Sequence, residues 1–553
     1  MASEDYILHL KANLLDNLPG QITDPGDLNA SLNARGLYSP YQFVLRLSPE
    51  VHRQLAALPS GIVYGEMDSD SVQAFSTYLH ETVHWWQHIG SSAGFVRSLS
   101  YPAQAHANYK HLKHLLATVG PKKSIEKLLE RLDGPSSPGT PAGLANTIVN
   151  NHYDIEFFRF LTFNQTRARQ AIANPFFDCL GHSFATTYAN VLMILAATCD
   201  EYFGVLPDPR PWENEFQMLR QHKEEGYYFG SDIKAAELGV REIFEGQARF
   251  AQLQYLFFAS GKNLSWEDVR SHGMLDGVYG KAFEAFLQGT EIDWPPSIDH
   301  PAVALFLLVC DLSINPGEGF PLPLQYFSSF VTDVDPGMRF LFFCRTIATE
   351  RPDLVRAIVD YSRAEYFEVA QALTQPLMLI SPLEIAGTVE RWVNDNDGLR
   401  SLMAEHETFD FSPRNLSLRV LFSHFLAFNI DKLAKPEFFC WPGAWMVGQR
   451  LSSNIVTLFD RHSALFVDKA DDGSIFPRIL SGKNELLVQQ TFESFYSFNV
   501  TYDMTRQWIA VPGPFNYDYS WLSSSGSPSD SKGFADRHFE MIYGVHPDAF
   551  EIV

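Results

Sequence analysis

Between Asp68 and Gly90 the apolar residues Val72, Phe75, Leu79, Val83 and Trp86 return every three or four positions. Only an α-helix with a buried face accommodates that spacing. Asp68 or Ser69 is placed to cap its start and Gly90 to end it. The same segment carries His80-Glu81-Thr82-Val83-His84, with the two histidines off the apolar stripe. Histidines four residues apart on a helix lie about 40° apart around the axis and one turn along it, so both imidazoles reach a common metal ion. Glu81 then sits beside that ion, where a carboxylate can take a proton from a bound water and return it to a leaving amine. His88 is aligned with the pair but lies about 6 Å beyond His84 along the axis, which suits packing better than ligation. The neighbouring Trp85-Trp86 pair reads as core.

With 553 residues, the chain exceeds one ordinary hydrophobic core. Hydrophobic residues at 46% and charged residues at 19% are the balance of a globular protein. A formal charge of −23 argues against nucleic acid and anionic membrane surfaces as partners, since both demand a positive field. The start of the chain carries Glu4 and Asp5 where a secretory signal has a basic and then an apolar region. The apolar runs Ala189 to Cys199 and Ala302 to Cys310 fall short of the roughly 20 residues of a membrane span. Cys179, Cys199, Cys310, Cys344 and Cys440 are scattered without CxxC spacing, so reduced buried thiols and a cytoplasmic location are expected.

The expected fold class is mainly α (α+β), with a small β element near the amino terminus and a helical C-terminal region. Short strands are expected at Tyr41 to Leu47 and Gly61 to Tyr64, the latter reading as a plain core strand, with an edge strand that pairs with an extended substrate before the metal helix as the alternative. Helices are expected at Ala189 to Phe203, Ile233 to Ala259, Met338 to Ala348, Leu354 to Leu373 and Leu416 to Phe428. Gly134 to Gly143 and Ser520 to Gly533 read as loops. The division follows as 1–65 (strand-containing), 66–310 (catalytic) and 311–553 (mostly helical, for substrate selection or regulation).

A catalytic zinc takes three protein ligands. Glu245, in Glu245-Gly246-Gln247-Ala248 of an otherwise apolar helix, is the leading third donor, because a buried carboxylate needs a strong partner and the small residues Gly246 and Ala248 let that helix approach the histidine helix. Glu242 and the cluster His152-Tyr153-Asp154-Ile155-Glu156 are rivals. Together, His80-Glu81-Thr82-Val83-His84 and Glu245-Gly246-Gln247-Ala248 resemble the gluzincin arrangement of zinc metallopeptidases. The resemblance implies a zincin-like catalytic core, one zinc held by His80, His84 and Glu245, and Glu81 as general base. It covers two short segments, and Glu245 follows Glu81 by 164 residues, a longer separation than most gluzincins show.

Some gluzincins also carry a histidine before proline near the site. Asp299-His300-Pro301 matches, with His300 as the candidate oxyanion donor; a helix-capping role for the same residues is the alternative, and any of the 22 tyrosines could serve instead. The expected function is a zinc metallopeptidase acting on a restricted intracellular protein or peptide, with a possible regulatory partner on the C-terminal region. The alternatives are an inactive zincin-fold binding protein and a zinc hydrolase of a non-peptide amide.

Overall fold

A computed structural model describes residues 8–15, 36–39, 43–56, 68–132, 137, 139–163, 168–468, 475–477, 482–519 and 528–553. The chain is mainly helical with a few short strands, as its periodicity predicts. The helices that frame the site are α1 (Ser69–Gly90), α2 (Ser92–Val119), α3 (Pro141–Phe163), α4 (Leu180–Cys199), α5 (Val240–Ala259), α6 (Val278–Thr290), α7 (Pro301–Ile314) and α8 (Leu416–Ala434). None of the described helices is long and apolar enough to cross a membrane.

Asp68 caps α1 by accepting from the backbone of Asp70 and Ser71, which satisfies donors that the first turn leaves orphaned. Ser91 ends α1 and starts α2, its hydroxyl accepting from Gly94 N at 3.0 Å. The long apolar reading from Ile233 fails in its first turns, because α5 begins only at Val240. A Cβ at Gly239 would stand 2.6 Å from the carbonyl oxygen of Phe163 at the end of α3, so the chain enters there extended and helix starts after it. Leu354 to Leu373 is likewise two elements, a 3-10 turn at Pro352–Arg356 and a helix at Arg363–Thr374, separated by Tyr361 at φ 56° and capped by Ser362. Parts of both expected loops are helical: α3 begins at Pro141, and a helix spans Pro528–Tyr543.

The small β element draws on both ends of the chain. β1 (Gly36–Ser39) pairs antiparallel with β2 (Val44–Leu47), Gly36 opposite Leu47. With β3 denoting Lys122–Lys123, which pairs with the terminal β6 (Glu551–Ile552), the first sheet is completed by β4 (Phe466–Asp468) and β5 (Ile475–Pro477). β2 runs parallel to β4, and Asp468 accepts from Leu47 N at 3.0 Å and pairs with His52 at 2.8 Å. Among the described residues, β1 is the last strand of that sheet on its side. The strand expected at Gly61 to Tyr64 lies outside the described residues, as does the boundary at residue 65.

The boundary expected after Cys310 falls inside α7, and the segments on either side share one core. The reason is that the histidine helix is buried on all faces. Trp86 donates to the carbonyl of His462 at 2.7 Å and packs on Phe438, Phe439 and Phe459. Asn429 of α8 donates to Gly90 O at 3.1 Å, and Trp441 to Ala304 O at 3.0 Å. The residues after 310 are the wall behind the site.

One buried ion pair fastens this wall. Lys432 of α8 lies 2.6 Å from Asp311 of α7, both almost fully buried, and Tyr366 donates to the same carboxylate at 2.7 Å. Removing one member strands a buried charge, which costs far more than the intact pair contributes. Lys432→Met is expected to lower unfolding free energy by about 3–5 kcal/mol, read from the urea midpoint at unchanged slope; a change within 0.5 kcal/mol would mean the pair is solvated.

Candidate metal centre

α1 and α5 lie side by side and antiparallel. Gln252 of α5 donates to Ser76 Oγ at 3.1 Å near one end, and Gln87 of α1 donates to Phe244 O and Gln247 Oε1, both at 2.9 Å, near the other. Between these rungs stand His80, His84 and Glu245. Nε2 of His80 and Nε2 of His84 are 3.2 Å apart, and Oε2 of Glu245 is 3.5 Å from the first and 3.3 Å from the second.

That triangle is a test of fit. Zinc bonds of 2.0–2.1 Å at tetrahedral angles require donor atoms about 3.3 Å apart, which the three edges match. Two imidazoles and one carboxylate are also a donor set that zinc takes, and three protein ligands is the number of a catalytic rather than a structural centre. Ring geometry is held from behind: Nδ1 of His84 donates to Gln87 Oε1 at 2.8 Å, which turns Nε2 toward the other two donors. Because the Gln87 amide nitrogen is committed to α5, its oxygen is the atom left to face His84. The sequence reading passed over Gln87, although a position three residues past His84 shares its helix face.

Burial and the neighbouring charges together set the protonation of the cluster. Burial pushes His80 down to about 3, despite the pull of Glu245, and the charges of His84 and Arg249 lower it further. Burial works against charging His84 as well, but the carboxylates of Glu245 and Glu81 outweigh it and lift that ring to about 9. Burial would raise Glu245, yet the two imidazoles hold it far below the usual carboxylate range. A single proton on His84 thus fills the role that suits a metal ion.

Glu81 is buried on the same helix, and β1 lies against it: a Cβ at Gly36 would stand 2.5 Å from Glu81 Oε1 and 2.7 Å from its Cγ. Only glycine allows the strand this approach. Two further residues gather near His80. The Tyr279 ring of α6 is 6.0 Å from the His80 ring, and the fully buried Arg249 guanidinium sits 3.9 Å from the centre of the Tyr279 ring. Tyr279 comes from another helix and was not distinguishable in the sequence, whereas Arg249 stands four residues after Glu245 on α5.

The remaining candidates are elsewhere. Glu242 closes the capping box of α5 at Gly239 N, 3.0 Å, and pairs with Lys281 at 3.4 Å. Glu156 pairs with His152 along α3 at 3.2 Å. His88 is wedged between the rings of Tyr38 and Phe244. Gly246 faces α6 and α7, not α1, its missing Cβ leaving 2.9 Å to Ala282 Cβ.

His300 caps α7, its Nδ1 accepting from Ala302 N at 3.2 Å, while Asp299 holds Lys262 at 2.8 Å. Lys262 follows the far end of α5, and the helix from Glu245 to Ala259 spans about 21 Å. The structure does not bring His300 to the donors. A second acidic group, Asp536, His546 and Asp548, already has a cation: Lys532 lies 2.6 Å from Asp536 and 3.0 Å from Asp548.

No protein-family model, no curated protein and no solved structure matches the chain. The geometry of the centre alone carries the functional reading.

A metal must displace the His84 proton, so uptake near neutral pH is expected to release about one proton per ion. The sign follows: His84 is protonated below about 9, so apparent zinc affinity falls by about tenfold for each pH unit lowered beneath that value. Competition with a chromophoric chelator across this range measures it; a flat profile would show the proton is not on a ligand.

Proposed function

We propose that the chain is a zinc-dependent metallopeptidase of the gluzincin type, with a zincin-like core formed by α1, α5 and the β1 sheet. The observation that carries this reading is the donor triangle of His80, His84 and Glu245, with Glu81 on the same helix held against a terminal strand. Zinc held there supplies a Lewis acid that acidifies bound water and polarises a carbonyl.

The chain's own residues do the rest. Glu81 accepts the proton of the attacking water and delivers it to the leaving amine. β1, unpaired on its outer side among the described residues, offers backbone donors and acceptors to an extended peptide and so sets the peptide beside Glu81. A peptide held this way explains why a strand presses on a catalytic carboxylate, a placement that neither a binding protein nor a hydrolase of small amides requires. Tyr279, backed by Arg249, takes the oxyanion role for which His300 is badly placed. The described cysteines are all free thiols, which fits a reducing compartment, and we place the enzyme in the cytoplasm acting on a restricted protein substrate.

Zinc content is the first check. Wild type should hold one ion per chain, while His84→Ala and Glu245→Ala lose it; metal-free wild type would end the reading. Glu81→Gln should keep zinc, lose turnover by about a hundred- to ten-thousand-fold, and retain an uncut protein partner from a cell extract; unaltered turnover would remove Glu81 from the mechanism.

Gly36→Val tests the strand contact separately. The added carbons displace the Glu81 carboxylate, so zinc should stay while turnover drops at least about tenfold, measured on the substrate that Glu81→Gln retains. Full activity in this variant would show that β1 does not position Glu81.

A further inference from the structure

Along α5 every residue is buried except Arg241, Glu245, Phe258 and Ala259. Arg241 stands four residues before Glu245, on the same face and about 6 Å along the axis. The open strip of α5 at the candidate metal centre is thus a carboxylate and a guanidinium one turn apart. Glu245 has His80 and His84 as partners. Arg241 is left over: its Nε is buried with no hydrogen-bond partner, and no carboxylate among the described residues pairs with it. Acids are not scarce, since the chain has 65 Asp and Glu against 42 Lys and Arg. The adjacent Glu242 is taken by Gly239 N and Lys281. A solvated surface arginine needs no partner, but a buried donor does.

The course of β1 says what can reach this arginine. Gly36 lies against Glu81, and Tyr38, on the same face of the strand, packs on Trp85 and His88. β1 therefore runs along α1 from Glu81 toward the end where His88 and Gln87 meet Phe244. Arg241 stands at that same end of α5. Glu81 projects from α1 at about 60° to 100° around the axis from the two histidines. A peptide that touches Glu81 and the zinc donors together consequently lies between β1 and α5. Extended chain advances about 3.3 Å per residue, so the step from Glu245 to Arg241 equals about two residues of that peptide.

Building on the metallopeptidase reading, we propose that Arg241 selects the substrate by receiving a carboxylate carried about two residues from the cleaved bond, which makes the restricted substrate an acidic peptide segment. A guanidinium presents paired N–H groups that match the two oxygens of a carboxylate, and Nε, the atom left without an acceptor, is one of that pair. The carboxylate is either an Asp or Glu side chain or the free end of a short peptide. Both offer Arg241 the same chemistry, and the test separates them.

The test uses the full-length chain loaded with zinc and two random-sequence, N-acetylated peptide libraries, one amidated at the C-terminus and one with a free carboxylate, with cleavage read by mass spectrometry. In the amidated library Asp and Glu should exceed Asn and Gln about tenfold at one position near the cleaved bond; a gain of that size only in the free-carboxylate library would assign the C-terminus instead. Arg241→Gln should abolish the preference, Arg241→Lys should keep part of it, and Arg241→Glu should turn it toward Lys and Arg, each with the zinc content of wild type. Cleavage without an acidic preference, or a preference that survives Arg241→Gln, overturns the assignment. Capture of the same libraries on Glu81→Gln reads binding without turnover: acidic peptides should be enriched, and the added Arg241→Gln change should remove the enrichment. If wild type cuts nothing, the metallopeptidase reading fails by itself and capture decides the role of Arg241, with absence of acidic enrichment counting against it.

Discussion

Two imidazoles and a carboxylate meet where α1 and α5 pack antiparallel, and the architecture is arranged around the cost of burying them. An isolated ionised carboxylate cannot be taken into a protein interior without a partner. Glu245 has two, at 3.3 and 3.5 Å, and those partners lie one helical turn apart on one rigid helix. The rungs at Ser76–Gln252 and at Gln87 fix the sliding and the rotation of one helix against the other. Gln87 does more than join helices, since the same amide orients the His84 ring. One side chain thus contributes to the register and also sets the tautomer.

This dependence explains why the second half of the chain cannot stand apart. A helix carrying His80, His84 and His88 amid Trp85, Trp86 and Ile89 has no face suited to water, and α1 is buried almost throughout. Its outer surfaces have to be covered, and the covering comes from distant sequence: α8, Phe438, Phe439 and Phe459. The parallel pairing of β2 with β4 ties the strand that follows β1 to the same wall. Placement of Gly36 against Glu81 is thus inherited from contacts several hundred residues away.

Legibility in the sequence follows the range of the interactions. The α1 helix, its Asp68 cap and its end at Gly90 depend on neighbours within four residues, and all three were readable. The pairing of His80 and His84 with Glu245 was reachable because a carboxylate in an apolar helix announces a missing partner. Where a tertiary neighbour decides, the reading broke: the carbonyl of Phe163 against Gly239 set the start of α5, and Tyr361 divided a continuous apolar pattern. Gly246 was read as facing α1 because its size signals close packing without saying against which helix. Tyr279 and Gly36 meet the site only through tertiary packing, and no spacing in the chain connects them, whereas Arg249 stands one helical turn past Glu245. His300 had a capping alternative in the sequence, and the cap is what its surroundings display.

The charges near the donors carry one more consequence for chemistry. Glu245 and Glu81 bring two negative charges; the His84 proton and the buried Arg249 bring two positive ones, so the metal-free cluster is balanced. A divalent ion in place of that proton would leave one surplus positive charge among these groups. Tetrahedral intermediates of acyl transfer place one negative charge on oxygen, and preorganised positive charge in low dielectric stabilises it most. Without Arg249 the loaded cluster would be neutral and would hold no such surplus. In the proposed peptidase, the guanidinium one turn beyond Glu245, fully buried and stacked on Tyr279, would favour an anionic transition state over tighter binding of a neutral peptide.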